Sequence, residues 1–344
     1  MKEIRTEDAA GHILCHDITQ IIKDEKKGVL FKKGHVVKEE DIPLLLSVGK
    51  EHLFVWEKKE GILHENEAAE ILYKICAGDS DKVHGTDIKE GKIEVISKLD
   101  GVLKIRKDAL AAINSLGEMM IASRHGNFPV KKGDKLAGTR IIPLVIEKEK
   151  MDAAEKAAGE QPVFDILPYH RKKVGIVTTG SEIKKGLIKD TFTPVLRKKL
   201  AEYPTEIIGQ VMPGDDKEQI TAEILSFAEA GADLIVCTGG MSVDPDDRTP
   251  GGIRDTGAFI VTYGAPVLPG AMLLIAYLSC KGRRIPVLGL PGCVMYAKRT
   301  VFDLILPRVM ADDEIKAEEI ASLGEGGLCL NCPVCTFPNC GFGK

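Results

Sequence analysis

Between about residues 170 and 310 the apolar positions fall in short unbroken runs: KVGIVTT, EIIGQVM, ADLIVC, MLLIAYL and IPVLGL. Stretches of helical spacing separate them. FTPVLRKKLAEY places Thr193 and Pro194 where a helix cap and first turn belong. DDKEQITAEILSFAEAG opens on aspartates, closes on Gly231 and sets Ile220, Ile224 and Phe227 on one face. A further helix is expected from about Met295 to Val309, with Tyr296, Phe302, Leu304 and Ile305 in the core. Strands that are apolar on both sides and alternate with helices predict a mostly parallel sheet covered on both faces, a three-layer α/β domain.

The first 150 residues scan differently. GVLFKKGHVV alternates about a Lys-Gly turn, KEEDIPLLLSVG reads as a helix closed by Gly49, HLFVW as a strand and ENEAAEILYKICAG as a helix. His64 with Glu65 and Glu67 suits a helix start, since no second histidine follows four residues on. Next come the short β runs KIEVIS, GVLKIR, MMIAS and IIPLVIE, with one helix near KDALAAINSLG. The expected organisation is a small α+β N-terminal domain over 1–78, a β-rich middle domain over 79–150, a linker over 151–170, the α/β domain over 171–311 and a tail over 312–344.

Composition narrows the class. A chain of 344 residues exceeds the roughly 150 expected of one domain, and 44% hydrophobic residues suffice for real cores. A net charge of −4 without a basic stripe argues against a nucleic-acid binder. The longest apolar run, AMLLIAYLSC, is about half a membrane span, and the N-terminal stretch lacks a signal-peptide core. Five of the nine cysteines are scattered singly (Cys15, Cys76, Cys237, Cys280, Cys293), which suits a reducing compartment. The expectation is a soluble cytoplasmic protein with no membrane or nucleic-acid partner.

In open α/β sheets, ligands bind outside the carboxyl ends of the strands. Here those ends read TTGSE, MPGDD, TGGMSVDPDD and LPGC. Glycine lets a ligand approach the backbone, and N–H groups at helix starts can hold phosphate. Carboxylates beside a phosphate are understandable if Mg²⁺ lies between them. Asp216 also suits a helix cap and Asp244 a turn. No nucleophile–base pair and no dinucleotide fingerprint accompanies them.

The ordered set TTGSE, KDT, PGDD, DLIVCTGGMSV…DRTP, LPG and GLPG, over about 175–295, resembles the molybdopterin-binding domain shared by molybdopterin adenylyltransferase, molybdopterin molybdenumtransferase and gephyrin. VKKGDKLAGTRIIPL is similar to the β-barrel segment that precedes it in the molybdenumtransferase. The resemblance implies that Glu182, Asp190, Asp215 and Asp247 stand where the family places acids for metal binding or catalysis. Glu182, Asp215 and Asp247 are the implied catalytic and Mg²⁺ residues. Thr179, Gly180, Ser181, Asp190, Gly239, Gly240, Ser242, Pro269, Gly270, Pro291 and Gly292 are the implied ligand contacts. The implied reaction inserts molybdate into adenylated molybdopterin and releases AMP, in a homo-oligomer. Three departures stand out. A usual Lys-Pro-Gly-Lys-Pro reads LPGAM, Gly-Leu-Pro-Gly-Asn-Pro reads GLPGCV, and Asp-Thr-Asn reads DTF. Arg248 or Arg254 could restore the lost positive charge.

The tail ends in CLNCPVCTFPNCGFGK. Cys329, Cys332, Cys335 and Cys340 are dense enough to enclose Zn²⁺ or a [4Fe–4S] cluster, although the spacing is not the ferredoxin one. Three function classes follow: a cofactor-maturation enzyme, a non-catalytic molybdopterin carrier or regulator serving a molybdoenzyme, and a generic nucleotide-binding domain. Retained acids favour the first, lost lysines the second.

Overall fold

The computed structural model describes residues 2–22, 26–55 and 60–344. Trp56, at the end of the expected HLFVW strand, lies outside them. The chain forms two compact units. One runs to Leu99 and includes Ile105–Arg124 and Lys132–Asp165; the other comprises Asp100–Lys104, His125–Lys131 and Ile166–Lys344.

The second unit carries a six-stranded sheet: β1 (Lys172–Thr178), β2 (Thr205–Val211), β3 (Leu234–Thr238), β4 (Phe259–Tyr263), β5 (Leu274–Cys280) and β6 (Arg283–Leu290), in the order β2-β1-β3-β6-β5-β4. The first four in that order run parallel, while β6–β5 and β5–β4 pair antiparallel. The antiparallel step has a local cause. Lys281 and Gly282 join β5 to β6 with φ of 50° and 74°, the left-handed pair that a two-residue hairpin needs. The strand β4 was not expected; it is an edge strand that leaves Phe259 and Tyr263 exposed although 258–261 reads AFIV.

Helices α1 (Ser181–Lys184), α2 (Phe192–Leu200), α3 (Lys217–Glu229), α4 (Thr249–Asp255) and α5 (Val301–Met310) flank this sheet. Successive strand residues point to opposite faces, and two cores result. Val174, Ile176, Leu234, Val236 and Leu288 pack with Leu196 and Leu200 of α2 and Phe302 and Ile305 of α5. Val177, Ile235, Cys237 and Val287 pack with Ile220, Ile224 and Phe227 of α3 and Ile253 of α4. Phe227 lies where two neighbouring strands carry glycine: a Cβ on Gly175 would come 2.5 Å from its ring, and one on Gly209 2.9 Å.

Caps set the helix starts. Asp190 Oδ1 accepts the N–H groups of Phe192 and Thr193, both at 3.0 Å, and Oδ2 accepts Gln210 Nε2 at 3.0 Å. Asp216 caps α3 by accepting the Gln219 N–H at 3.1 Å. The expected helix from Met295 is corrected. Gly292–Met295 is a single 3₁₀ turn, and α5 begins only at Val301, after a Thr300–Asp303 capping box. Tyr296, expected in the core, is 76% exposed, whereas Phe302, Leu304 and Ile305 are buried. Besides closing the capping box, Asp303 accepts Lys199 Nζ at 2.7 and 2.8 Å and Arg299 at 2.8 Å. Lys199 and Asp303 are both buried.

In the first unit, Lys2–Arg5 pairs antiparallel with His52–Val55 and Ile18–Ile22 with Lys26–Phe31, around Leu14, Val37, Leu45 and Leu53. His64 caps the helix Glu65–Ala77 in a box with Glu67, the structural role expected of it. A four-stranded antiparallel sheet follows, in the order Val83–Gly85, Lys92–Ser97, Lys135–Ile141 and Met119–Ser123. Helices Lys107–Ser115 and Lys148–Ala158 complete the unit, the second burying Met151, Ala154 and Ala158. No helix among the described residues is long and apolar enough to cross a membrane.

Two outcomes are expected. Phe227→Ala should destabilise the protein by about 3–5 kcal/mol, read as a lowered urea midpoint; an unchanged midpoint would mean that the ring is not part of the packed layer. Burial alone would raise the Asp190 carboxyl, but hydrogen bonds from Thr193, Gln210 and Phe192 outweigh it and hold it below the ordinary range. A depressed carboxyl contributes stability above its unfolded pKa and loses it as pH falls through the folded one. Asp190→Asn should therefore make the loss of stability in the acid range shallower, measured by denaturant melts at stepped pH. An equally steep loss would show that the carboxylate makes no such bonds.

Candidate functional site

The loops that leave the carboxyl ends of β1 and β3 are fastened together. The Thr179 N–H donates to the Thr238 carbonyl at 2.8 Å, and the Thr179 and Thr249 hydroxyls lie 3.0 Å apart. Gly239 and Gly240 follow β3 with φ of 84° and 52°, a region that L side chains avoid. Space forbids a side chain as well. A Cβ at Gly239 would stand 2.6 Å from the Thr179 carbonyl oxygen, and one at Gly240 2.9 Å from Thr249 Oγ1.

Beside this junction lies a cavity of about 590 Å³. Its walls come from the β3 loop (Gly239, Gly240, Met241, Ser242, Asp247), the loop after β4 (268–272) and the turn after β6 (Pro291, Gly292, Cys293, Met295, Tyr296). Asp247 is the carboxylate of that lining, and none of the lining residues is lysine or arginine. Arg248 and Arg254, considered as replacement cations, are exposed and do not line it. The Asp247 charge is felt by Tyr263, whose hydroxyl donates to the Met241 carbonyl at 2.8 Å; burial and then Asp247 push that phenol up. Burial likewise pushes up the Cys293 thiol.

Of the residues expected at the site, Gly239, Gly240, Ser242, Asp247, Pro269, Gly270, Pro291 and Gly292 line this cavity. Thr179, Gly180, Ser181, Glu182, Asp190 and Asp215 do not. Two of those acids are engaged elsewhere. Asp215 Oδ2 accepts the Ser181 N–H at 2.7 Å, and Asp190 caps α2. Among the described residues, no three His, Cys, Asp or Glu side chains are grouped as ligands of one metal ion. The expected convergence of Glu182, Asp215 and Asp247 on Mg²⁺ is therefore not assembled by these side chains. The crowded acids of the β3 loop are compensated locally. Asp247 Oδ2 accepts the Ser242 N–H at 2.9 Å, Asp244 Oδ1 accepts the Asp246 N–H at 3.1 Å, and Asp244 and Asp246 face solvent.

Met241, Met295 and Tyr296 line the cavity but were not read as site residues. Their signal was position: Met241 directly follows the paired glycines, and Met295 and Tyr296 follow the GLPG turn. The cysteine tail reaches the same neighbourhood. The Leu268 N–H donates to the Gly327 carbonyl and the Cys329 N–H to the Leu268 carbonyl, both at 2.8 Å. Cys329, Cys332, Cys335 and Cys340 line a second cavity, of about 510 Å³, that shares Pro269 and Tyr296 with the first. They do not converge on a single point as one-ion ligands.

Comparison with known proteins bears on the same residues. Residues 175–311 match the family described as a probable molybdopterin binding domain, and residues 3–57 match a domain of unknown function. A CinA-like protein of Mycobacterium leprae (strain TN) is 39% identical over 77 residues, which is 22% of this chain and 18% of that protein. The chain thus spans under a fifth of the length of the curated relatives it matches. The molybdopterin biosynthesis enzyme MoaB of Thermus thermophilus is 25% identical, with a TM-score of 0.34, covering 40% of this chain and 91% of that one. The tungsten cofactor synthesizing protein MoaB of Pyrococcus furiosus is 18% identical, with a TM-score of 0.31, covering 41% and 89%. Residues 175–311 belong to the molybdopterin-binding domain family, of which this chain carries a divergent member.

Proposed function

We propose that the cavity at the ends of β3 and β6 binds molybdopterin or its adenylated form, and that the chain inserts molybdate into the adenylated ligand with release of AMP. The observation that carries the reading is Asp247, a carboxylate on the wall of a glycine-lined cavity large enough for a bicyclic ligand. Glycine walls at Gly239, Gly240, Gly270 and Gly292 admit a phosphate to backbone N–H groups. Ser242 and Asp247 would hold the polar end of the ligand, and Met241, Met295 and Tyr296 would pack on its ring. The cavity supplies one carboxylate, so Mg²⁺ would take most of its oxygens from the ligand's phosphates and water, a common mode for that ion. Such an ion, when bound, neutralises phosphate charge and polarises phosphorus. Glu182, Asp215 and Asp190 then act from the adjoining loops: Asp215 through the Ser181 N–H, Asp190 by holding the start of α2.

A second reading has its own support. No lysine or arginine lines the cavity, so a leaving phosphate lacks a charged partner from the protein. A chain that binds the pterin and passes it to a molybdoenzyme, without hydrolysing the phosphoanhydride, fits that lining. Cytoplasmic location and homo-oligomeric assembly belong to either reading.

The deciding assay follows AMP release from adenylated molybdopterin with Mg²⁺ and molybdate. Molybdate-dependent release, lost in Asp247→Asn by about a hundredfold or more if the carboxylate acts in the transition state, is expected. Tight pterin binding with no AMP from either protein would leave the carrier reading in its place.

A further inference from the structure

The tail beyond α5 folds back on its own unit. Phe342 is buried in the core that α5 helps to build, and Phe337, Cys329 and Cys340 pack against that core. Cys332 and Cys335 remain exposed. A tail that used its cysteines only as small hydrophobes would bury them. Here two anchored thiols and two exposed ones line one cavity of about 510 Å³.

The nature of the occupant follows from how the sulfurs are spread. Tetrahedral zinc draws four sulfurs to about 2.3 Å from a single point. No three of these thiols are grouped as ligands of one ion, and the cavity that all four line, about 510 Å³, has room for more than one ion. A cubane needs the opposite arrangement: thiolates set apart around a void, each reaching one corner. The spacing agrees in part. Cys329, Cys332 and Cys335 follow the C-x₂-C-x₂-C run by which one loop supplies cluster ligands, while Cys340 comes after four residues instead of the three of the ferredoxin run. In two-cluster ferredoxins the fourth cysteine of that run serves another cluster; here it lines the same cavity.

Charge and polarity agree as well. Four thiolates around a cubane leave a net negative assembly, which a cationic wall favours. The cysteine cavity includes Lys298 and Arg299, whereas the pterin cavity has no cation in its lining. Lys298 Nζ donates to the Cys332 and Pro333 carbonyls at 3.2 and 2.9 Å and so holds the loop. Arg299 hydrogen-bonds Cys335 and lies 5.0 Å over the Phe337 ring.

We propose that Cys329, Cys332, Cys335 and Cys340 bind a [4Fe–4S] cluster in the cavity that shares Pro269 and Tyr296 with the pterin site. Each thiol gives up its proton as it takes an iron corner, and a preformed cluster enters without change of oxidation state. The cluster site stands on the cysteine geometry alone; only its closeness to a pterin rests on the ligand reading above.

The test uses the full chain, purified without oxygen and incubated with ferric iron, sulfide and a thiol that reduces half of that iron, then desalted. Iron, acid-labile sulfide and zinc are measured per chain, with the visible spectrum before and after dithionite. Equal iron and labile sulfide, a broad absorption that dithionite bleaches and a several-fold loss of both in Cys332→Ser and Cys335→Ser are expected. Those two thiols are exposed, so circular dichroism of the variants should match the parent. Cys280→Ser, on β5, should keep the full content. Zinc retained without labile sulfide would overturn the cluster in favour of a single ion, and retention of no metal would overturn the site. Neither result depends on pterin binding, so the proposal for the first cavity stands or falls separately.

Discussion

The closeness of Thr179 to Gly239 is the constraint on which the rest of the site depends. Two parallel strands end side by side, and the loop from one must turn across the end of the other. With the Thr179 carbonyl oxygen only 2.6 Å from where a Cβ would be, that crossing admits glycine and nothing larger. The turn exposes backbone N–H groups and lets the β3 loop swing toward the loops after β4 and β6. The cavity is the space this swing leaves. The cavity is therefore a by-product of strand packing: Gly239 and Gly240, which the crossing requires, form part of its wall.

Electrostatics divide the two adjoining cavities. One has a single carboxylate and no cationic side chain in its lining. The other has lysine, arginine and four thiols. Pro269 and Tyr296 form a wall common to both, and the tail is hydrogen-bonded to the loop carrying Leu268. Any change that moves this strap moves a wall of each cavity at once. The loop that reads LPGAM is the one the tail is hydrogen-bonded to, so the wall both cavities share is held by backbone bonds to the tail.

Much of the fold was legible because its signals are local. Unbroken apolar runs identified β1, β3 and the covered sheet, and the Ile220, Ile224 and Phe227 stripe identified the buried face of α3. The edge strand β4 was missed although 258–261 is an unbroken apolar run, AFIV, between Gly257 and Gly264. The helix expected from Met295 was misplaced because Tyr296 and Met295 resemble a helical stripe, while the true start is set by Thr300 and Asp303. At the site, the glycines of the β3 and β6 loops were legible because tight turns demand them. The grouping of acids was not. Whether a carboxylate faces a cavity or backbone is decided by detail the pattern does not carry: Asp244 and Asp190 bond N–H groups two and three residues on, and Asp215 bonds that of Ser181 on another loop. The four cysteines were conspicuous, but only the folded tail shows that all four line one cavity.

Asp303 illustrates a different kind of constraint. One carboxylate caps α5 and serves two cations from separate parts of the chain, Lys199 and Arg299, with the acid and the lysine both buried. Loss of the acid would leave a buried ammonium without its counter-charge, at a cost of several kcal/mol. Loss of the lysine would leave the acid with Arg299 and the Thr300 N–H, and should cost less. The two partners of one ion pair are thus unequal, and an apolar version of this core calls for changing the acid and the lysine together.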